Sequence, residues 1–160
     1  MRTAIILAAI GTASVSALTA SGALAADAVR SGHAEFDAYV TERIVSTVDG
    51  GVAKAMILDA DGFDRVVKGK APFDLLTFRC VSHARLAGDQ FDDAGSCAKT
   101  DKDGDRIFYT WDSNGWAFTG GTGKFKGLTG KGVFTTSYYH DSGARGFELI
   151  AHHVGDWQIR

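Results

Sequence analysis

Proline, helical periodicity and an excess of basic charge are all scarce in this chain of 160 residues. It has one proline against 20 glycines, and no long stretch repeats its apolar residues at the 3.6-residue spacing of an amphipathic helix. A largely helical protein is therefore not expected. The 17 Lys and Arg stand against 19 Asp and Glu and form no basic stripe. The sequence thus predicts no nucleic-acid partner, because such proteins neutralise phosphates with clustered Lys and Arg.

A long apolar stretch stands at the N-terminus, and no other stretch approaches the length of a membrane helix. It follows a single positive residue, Arg2, and ends in small residues that fit the A-x-A cleavage rule. The pattern predicts a cleaved secretory signal peptide over residues 1–25, with 26–160 as one domain large enough to bury a core. An uncleaved membrane anchor is the alternative, and the content of Gly, Ser and Thr argues against it.

Export sets the expectations for compartment and cysteine chemistry. Without the leader, 16 Lys and Arg stand against 19 Asp and Glu, a net charge of −3. We expect a periplasmic or secreted protein with no membrane segment after cleavage. Its two cysteines, Cys80 and Cys97, predict one disulfide, which would close a loop of about 17 residues and add about 3 kcal/mol. Two free buried thiols are the alternative, and a metal pair is disfavoured because structural zinc takes four ligands.

Alternating apolar and polar residues are common in the rest of the chain. Strands are predicted over 33–40, 52–58, 73–86, 106–112, 116–118, 132–140, 145–154 and 157–160, with a short strand or loop opening at Cys97. Turn residues separate them at 49–51, 61–62, 88–95, 103–104, 112–115, 141–143 and 155–156. About eight antiparallel strands in a single domain predict a closed barrel or a sandwich.

Two groups of metal-ligand residue types do not complete a metal site. DKDGD at 101–105 begins like a calcium loop, but Arg106 and Asp112 replace the glycine and glutamate that such a loop needs. A hairpin turn with solvated carboxylates is favoured there. His152 and His153 are adjacent and point to opposite faces of a strand, so a metal would need a histidine from another strand. The sequence predicts no metal.

The densest glycine stretch, TGGTGKFKGLTGKG at 119–132, is not a phosphate-binding loop. No Ser or Thr follows its lysine and no helix follows its glycines, as a P-loop requires. Glycine also permits tight bends and close backbone approach, which a closing sheet needs. We expect Phe125 and Leu128 to be apolar plugs between these bends. Three lysines are expected to point into solvent, namely Lys124, Lys126 and Lys131.

Residues 120–130 resemble the GGTGKF-x-G-x-x-G signature of dirigent proteins and allene oxide cyclase-like barrels. The paired cysteines, the Asp103-Gly104-Asp105 turn and the Gly155-Asp156-Trp157 ending are similar to small exported bacterial members of that group. The resemblance implies an eight-stranded antiparallel barrel whose apolar lumen is open at one end and holds one small hydrophobic or phenolic molecule. It implies no metal or organic cofactor, and related barrels often form homo-oligomers.

General acid and base chemistry is the catalysis that these residues offer, because no nucleophile elbow is present and the cysteines are expected to pair. The polar faces of three predicted strands carry the candidates, namely Glu148, His152, Tyr138, His140 and Arg79. If these faces line the lumen, they form a proton-transfer set in a water-poor cavity. If they are solvated outer faces, the apolar alternates fill the lumen, and the pattern alone favours this second arrangement.

Aromatic residues concentrate in the segment 108–118 and recur after residue 133. Four are candidates for ligand binding, namely Phe108, Trp111, Trp116 and Phe134. An ordinary packed barrel core is the alternative explanation. The expected functions are a binding module for a hydrophobic or aromatic molecule, a cofactor-free isomerase, cyclase or lyase, and a dirigent-like stereochemical guide.

Overall fold

Eight antiparallel strands pair in sequence order, and the first strand pairs with the last to close a barrel. The computed structural model describes residues 30–141 and 143–160, so the predicted signal peptide lies outside it. The strands are β1 Ser31–Asp49, β2 Lys54–Gly69, β3 Thr77–Ala87, β4 Gln90–Thr100, β5 Arg106–Asp112, β6 Gly115–Gly121, β7 Leu128–Asp141 and β8 Gly146–Ile159. Short 3-10 turns span Gly123–Phe125 and Gly143–Arg145. The predicted all-β barrel is confirmed.

The two-residue alternation of the sequence becomes an inner and an outer face. In β3, Phe78, Cys80, Ser82 and Ala84 are buried while the residues between them are exposed. The same alternation places Ala34, Phe36 and Ala38 of β1 inside the barrel. None of the helices in the part of the chain that is described is long and apolar enough to cross a bilayer.

Two predicted turns are wrong because strands continue through them, and a third is shorter than predicted. Asp61-Gly62 lies inside β2, where Gly62 lets the backbone pass close to the carbonyl oxygen of Tyr39. The polar segment 88–95 turns only at its first two residues, since β4 begins at Gln90. Gly155-Asp156 is paired within β8 rather than separating two strands.

The glycine stretch closes one end of the barrel. Phe125 and Leu128 are fully buried, as predicted for apolar plugs. All three lysines are exposed, as predicted. Lys124 also binds the turn between β4 and β5, with its Nζ 2.9 Å from Asp103 Oδ2 and paired with Asp101. The stretch is therefore a structural corner that is tied to the neighbouring DKDGD turn.

Replacement of Gly127 by valine is expected to lower the free energy of unfolding by about 2–4 kcal/mol. Gly127 has a φ of +81°, and a Cβ there would overlap the carbonyl oxygen of Arg160. Gly104→Val is the matched control, because Gly104 has a φ of +87° but no heavy atom within 4 Å of an added Cβ. Urea unfolding should show a smaller loss for the control; equal losses would mean that close packing at Gly127 contributes nothing.

Candidate functional site

A cavity of about 430 Å³ occupies the barrel interior at the end that carries the β1–β2, β3–β4, β5–β6 and β7–β8 turns, and we call it the lumen. Residues of β1–β5, β7 and β8 line it. Ser113, Asn114 and Gly115, at the turn between β5 and β6, complete the lining. Phe91 and Tyr138 are 40% and 56% exposed, so they mark the open end. The opposite end is filled by packed aromatic rings, including Phe36, Phe73, Phe118 and Trp157.

A buried ion pair lies deep in the barrel. Lys99 Nζ is 2.7 Å from Asp64 Oδ2, and both side chains are 2% exposed. The ammonium also lies 4.2 Å from the ring centre of Tyr109, with the rings of Phe36 and Phe78 within 5.3 Å. Burial raises the pKa of Asp64, and the charge of Lys99 opposes that rise. Asp64 and the three aromatic rings therefore surround this ammonium.

A tyrosine and a histidine beside that ion pair form a fixed hydrogen-bonded unit. The Nδ1 of His153 is 2.8 Å from the carbonyl oxygen of Ala151, so Nδ1 carries the proton and donates it. The Nε2 of His153 then accepts from the hydroxyl of Tyr109, at 2.8 Å. Burial lowers the pKa of His153 to about 3 and raises that of Tyr109 well above its usual value. Both groups are neutral at physiological pH.

Two carboxyl groups face the lumen near its open end. Glu42 is 7% exposed, and its nearest hydrogen-bond partner is the hydroxyl of Ser82, 3.5 Å from Oε1. Asp93 accepts a hydrogen bond of 3.0 Å from the indole nitrogen of Trp111. Burial, followed by the charge of Asp93, raises the pKa of Glu42 to about 7. Burial raises the pKa of Asp93 as well.

The disulfide predicted from the sequence is confirmed and forms part of the lumen wall. Cys80 of β3 and Cys97 of β4 are directly opposite each other, with their Cα atoms 4.1 Å apart. Both are buried and line the cavity. The cross-link ties two neighbouring strands at mid-height of the barrel, directly against the space that a ligand would occupy.

The structure brings three of the nine candidate ligand and catalytic residues to the lumen, namely Tyr138, Trp111 and Phe134. Trp116 is buried below it and packs against Phe36, with ring centres 5.4 Å apart. Phe108 is 41% exposed and does not line it.

The other four candidates lie away from the lumen. Arg79 pairs with Asp59 at 3.0 Å on the outer face, and His152 pairs with Asp37 at 2.7 Å. Glu148 lies on the face of β8 opposite to the inward residues Leu149 and Ala151, and His140 is exposed. These positions match the arrangement in which the polar faces point outward.

The sequence did not identify the acidic residues of the lumen or its buried ion pair. Glu42 lies two residues beyond the predicted first strand, and Asp93 falls in a segment predicted as turn. Lys99 and Asp64 carry no motif that marks them. A signal did exist for His153, which shares the inward apolar face of Leu149 and Ala151.

Comparisons with known proteins yield a distant structural likeness. The sequence matches no family model and no curated protein. The chain is similar to a solved pterocarpan synthase dirigent protein, with 12% identity, a TM-score of 0.46, and coverage of 84% of this chain and 90% of that one. The barrel assignment rests on the strand pairing of the chain itself.

Proposed function

We propose that this protein is exported and binds one small hydrophobic or aromatic molecule in the lumen. The observation that carries the proposal is the cavity of about 430 Å³, which has aromatic walls and an open end. Small-molecule sites commonly occupy about 300–1,000 Å³ and combine apolar walls with a few polar groups. The disulfide fits an oxidising compartment.

The distribution of polarity inside the barrel supports a bound molecule over a filled core. The closed end is packed with rings, and the buried ion pair of Lys99 and Asp64 lies at the floor of the lumen, where Lys99 is one of the lining residues. At the open end, Trp111, Phe134 and Tyr138 line space beside two carboxyl groups. An amphipathic ligand would place its apolar body against the rings and its polar group near Glu42 and Asp93.

A cofactor-free acid–base enzyme is the second candidate, and one observation favours it. Glu42 faces the lumen with a pKa of about 7, where a carboxyl group can give or take a proton near neutral pH. Such a perturbed group in a cleft is typical of catalytic sites. An isomerase, cyclase or lyase would then use Glu42 as its acid or base, in place of the outward-facing Glu148 and His152.

The test incubates the purified protein with a panel of hydrophobic and phenolic compounds and follows each by chromatography and mass spectrometry after removing the protein. A compound that is retained unchanged supports binding. A new or isomeric product supports catalysis. If the Glu42→Gln variant no longer forms that product, Glu42 is the acid or base. A changed isomer ratio only when a radical-generating oxidant is added would identify a stereochemical guide.

Ala151→Leu is expected to weaken binding of a retained compound by about tenfold or more, because the larger side chain fills the lumen. Ala151 is buried and lines the cavity. Ala98→Leu is the matched control, since Ala98 is exposed on the outer face of β4. Calorimetry would give both affinities, and thermal melts would confirm folding. Equal affinities in the two variants would place the compound outside the lumen.

A further inference from the structure

We propose that the lumen selects a cationic ligand, an aromatic or alkyl molecule whose ammonium group lies between Glu42 and Asp93. This inference rests on the proposed binding function and names the chemical class of the ligand. Three independent features of the lumen support it, namely unpaired carboxyl groups, an internal example of the same arrangement, and aromatic walls.

The two carboxyl groups lack a cationic partner. Within residues 30–141 and 143–160, no Lys, Arg or His forms an ion pair with Glu42 or Asp93. The side chain of Glu42 has only the long contact to Ser82. Buried acids are normally paired or hydrogen-bonded, since removing a carboxylate from water is costly. A ligand that carries the positive charge would supply the partner.

The deeper part of the same barrel shows what such a site accepts. There, one carboxylate and three aromatic rings hold the ammonium of Lys99, which is 2.7 Å from Asp64 and 4.2 Å from the ring centre of Tyr109. The open end repeats these components, but Lys99 at the floor of the lumen is paired with Asp64 and not with the carboxyl groups of the open end. Its carboxyl groups are Glu42 and Asp93, and its rings include Trp111 and Tyr138. A ligand ammonium is the component that would complete it.

The aromatic walls suit a cation better than a neutral polar group. The negative face of an aromatic ring attracts ammonium groups, and tryptophan does so most strongly. The ring of Trp111 is also held in place by its bond to Asp93. Phe91, Phe134 and Tyr138 supply further rings around the same space. The lumen thus offers both charge and ring contacts to one bound cation.

The charges facing Glu42 make the pH dependence of binding predictable. The polar groups that face Glu42 are Asp93, Ser82 and Tyr138. Deeper in the lumen, the charge of Lys99 is balanced by Asp64. Tyr109 and His153 are neutral there. On the outer face of β3, His83 opposes the rise in the pKa of Asp93, after the hydrogen bond from Trp111. A bound cation favours the ionised form of Glu42, so cation binding should release a proton. Its affinity should therefore rise as the pH passes through about 7, whereas a neutral ligand should show no such rise.

Two molecules of nearly equal shape test the inference, namely phenyltrimethylammonium and its neutral isostere tert-butylbenzene. Calorimetry with the purified protein should show the cation binding about tenfold tighter or more at about pH 8, with the advantage reduced at about pH 5. The variants Glu42→Gln and Asp93→Asn should each lose most of this preference for the cation. Asp92→Asn is the matched control, because Asp92 is exposed and carries the same charge one residue away.

The outcomes separate this inference from the function on which it rests. If the neutral isostere binds as tightly as the cation, the lumen is a binding site and the charge selection is wrong. The inference also fails if Asp92→Asn weakens cation binding as much as Asp93→Asn, because the effect would then reflect net charge. If neither molecule binds, the proposed lumen function and the ligand class fail together.

Discussion

Lys99→Met is expected to lower the free energy of unfolding by about 3–5 kcal/mol, the usual cost of leaving one member of a buried ion pair alone. Asp64 is buried, and its Oδ1 has no hydrogen-bond partner among the described residues even with Lys99 present. Without the ammonium, Asp64 must either remain charged in an apolar interior or take up a proton. Both alternatives destabilise the folded state relative to the unfolded state.

The double variant Lys99→Met/Asp64→Leu distinguishes the ion pair from the space that it fills. Replacing both members with apolar side chains of similar size removes the desolvation cost, so most of the lost stability should return. Lys68→Met is the control for a surface pair, since Lys68 is 74% exposed beside Glu35 and should lose about 1 kcal/mol or less. Urea unfolding measures all three. A double variant as unstable as Lys99→Met would show that the pair itself holds the barrel together.

Much of the barrel could be predicted from local patterns. The segment RIFYTWD alternates in a way that a half-buried strand requires, and it forms β5. The glycine stretch before β7 was correctly predicted to supply bends around Phe125 and Leu128. The errors at Asp61-Gly62 and Gly155-Asp156 share one cause: glycine that serves close strand approach has the same local signature as glycine that serves a turn.

The lumen could not be predicted in the same way. Alternation separates two faces, but the inner face here includes Glu42, Asp93 and Lys99, which break the rule that polar residues point outward. Their burial depends on residues far apart in sequence, such as Asp64 and Lys99, which are 35 positions apart. Sites that violate local patterning in this way are where function is commonly found. Polar residues that obey the pattern, such as Arg79 and His152, form ion pairs outside the lumen.

Glu42→Gln is expected to stabilise the protein at about pH 8 and to leave it nearly unchanged at about pH 4. The folded-state pKa of Glu42 is raised from 4.5 to about 7, so the unfolded chain ionises first as the pH rises. The protonated carboxyl group of Glu42 contributes its full stability below the pKa of the unfolded state. That contribution is lost as the pH rises through the pKa of the folded state. A shift of this size corresponds to about 3 kcal/mol, which glutamine should recover because it stays neutral.

Urea unfolding of both proteins across this pH range would measure the stability difference directly. His153, whose pKa is lowered to about 3, destabilises the fold as the pH falls below 6.5, but it does so in both proteins and cancels in the difference. Asp92→Asn is the control for a change in net charge, because it removes an exposed carboxyl group from the same region of the barrel. A stability gain in Glu42→Gln that is equal at both pH values would show that Glu42 ionises normally. In that case Glu42 could neither transfer protons near neutral pH nor link the binding of a cation to proton release.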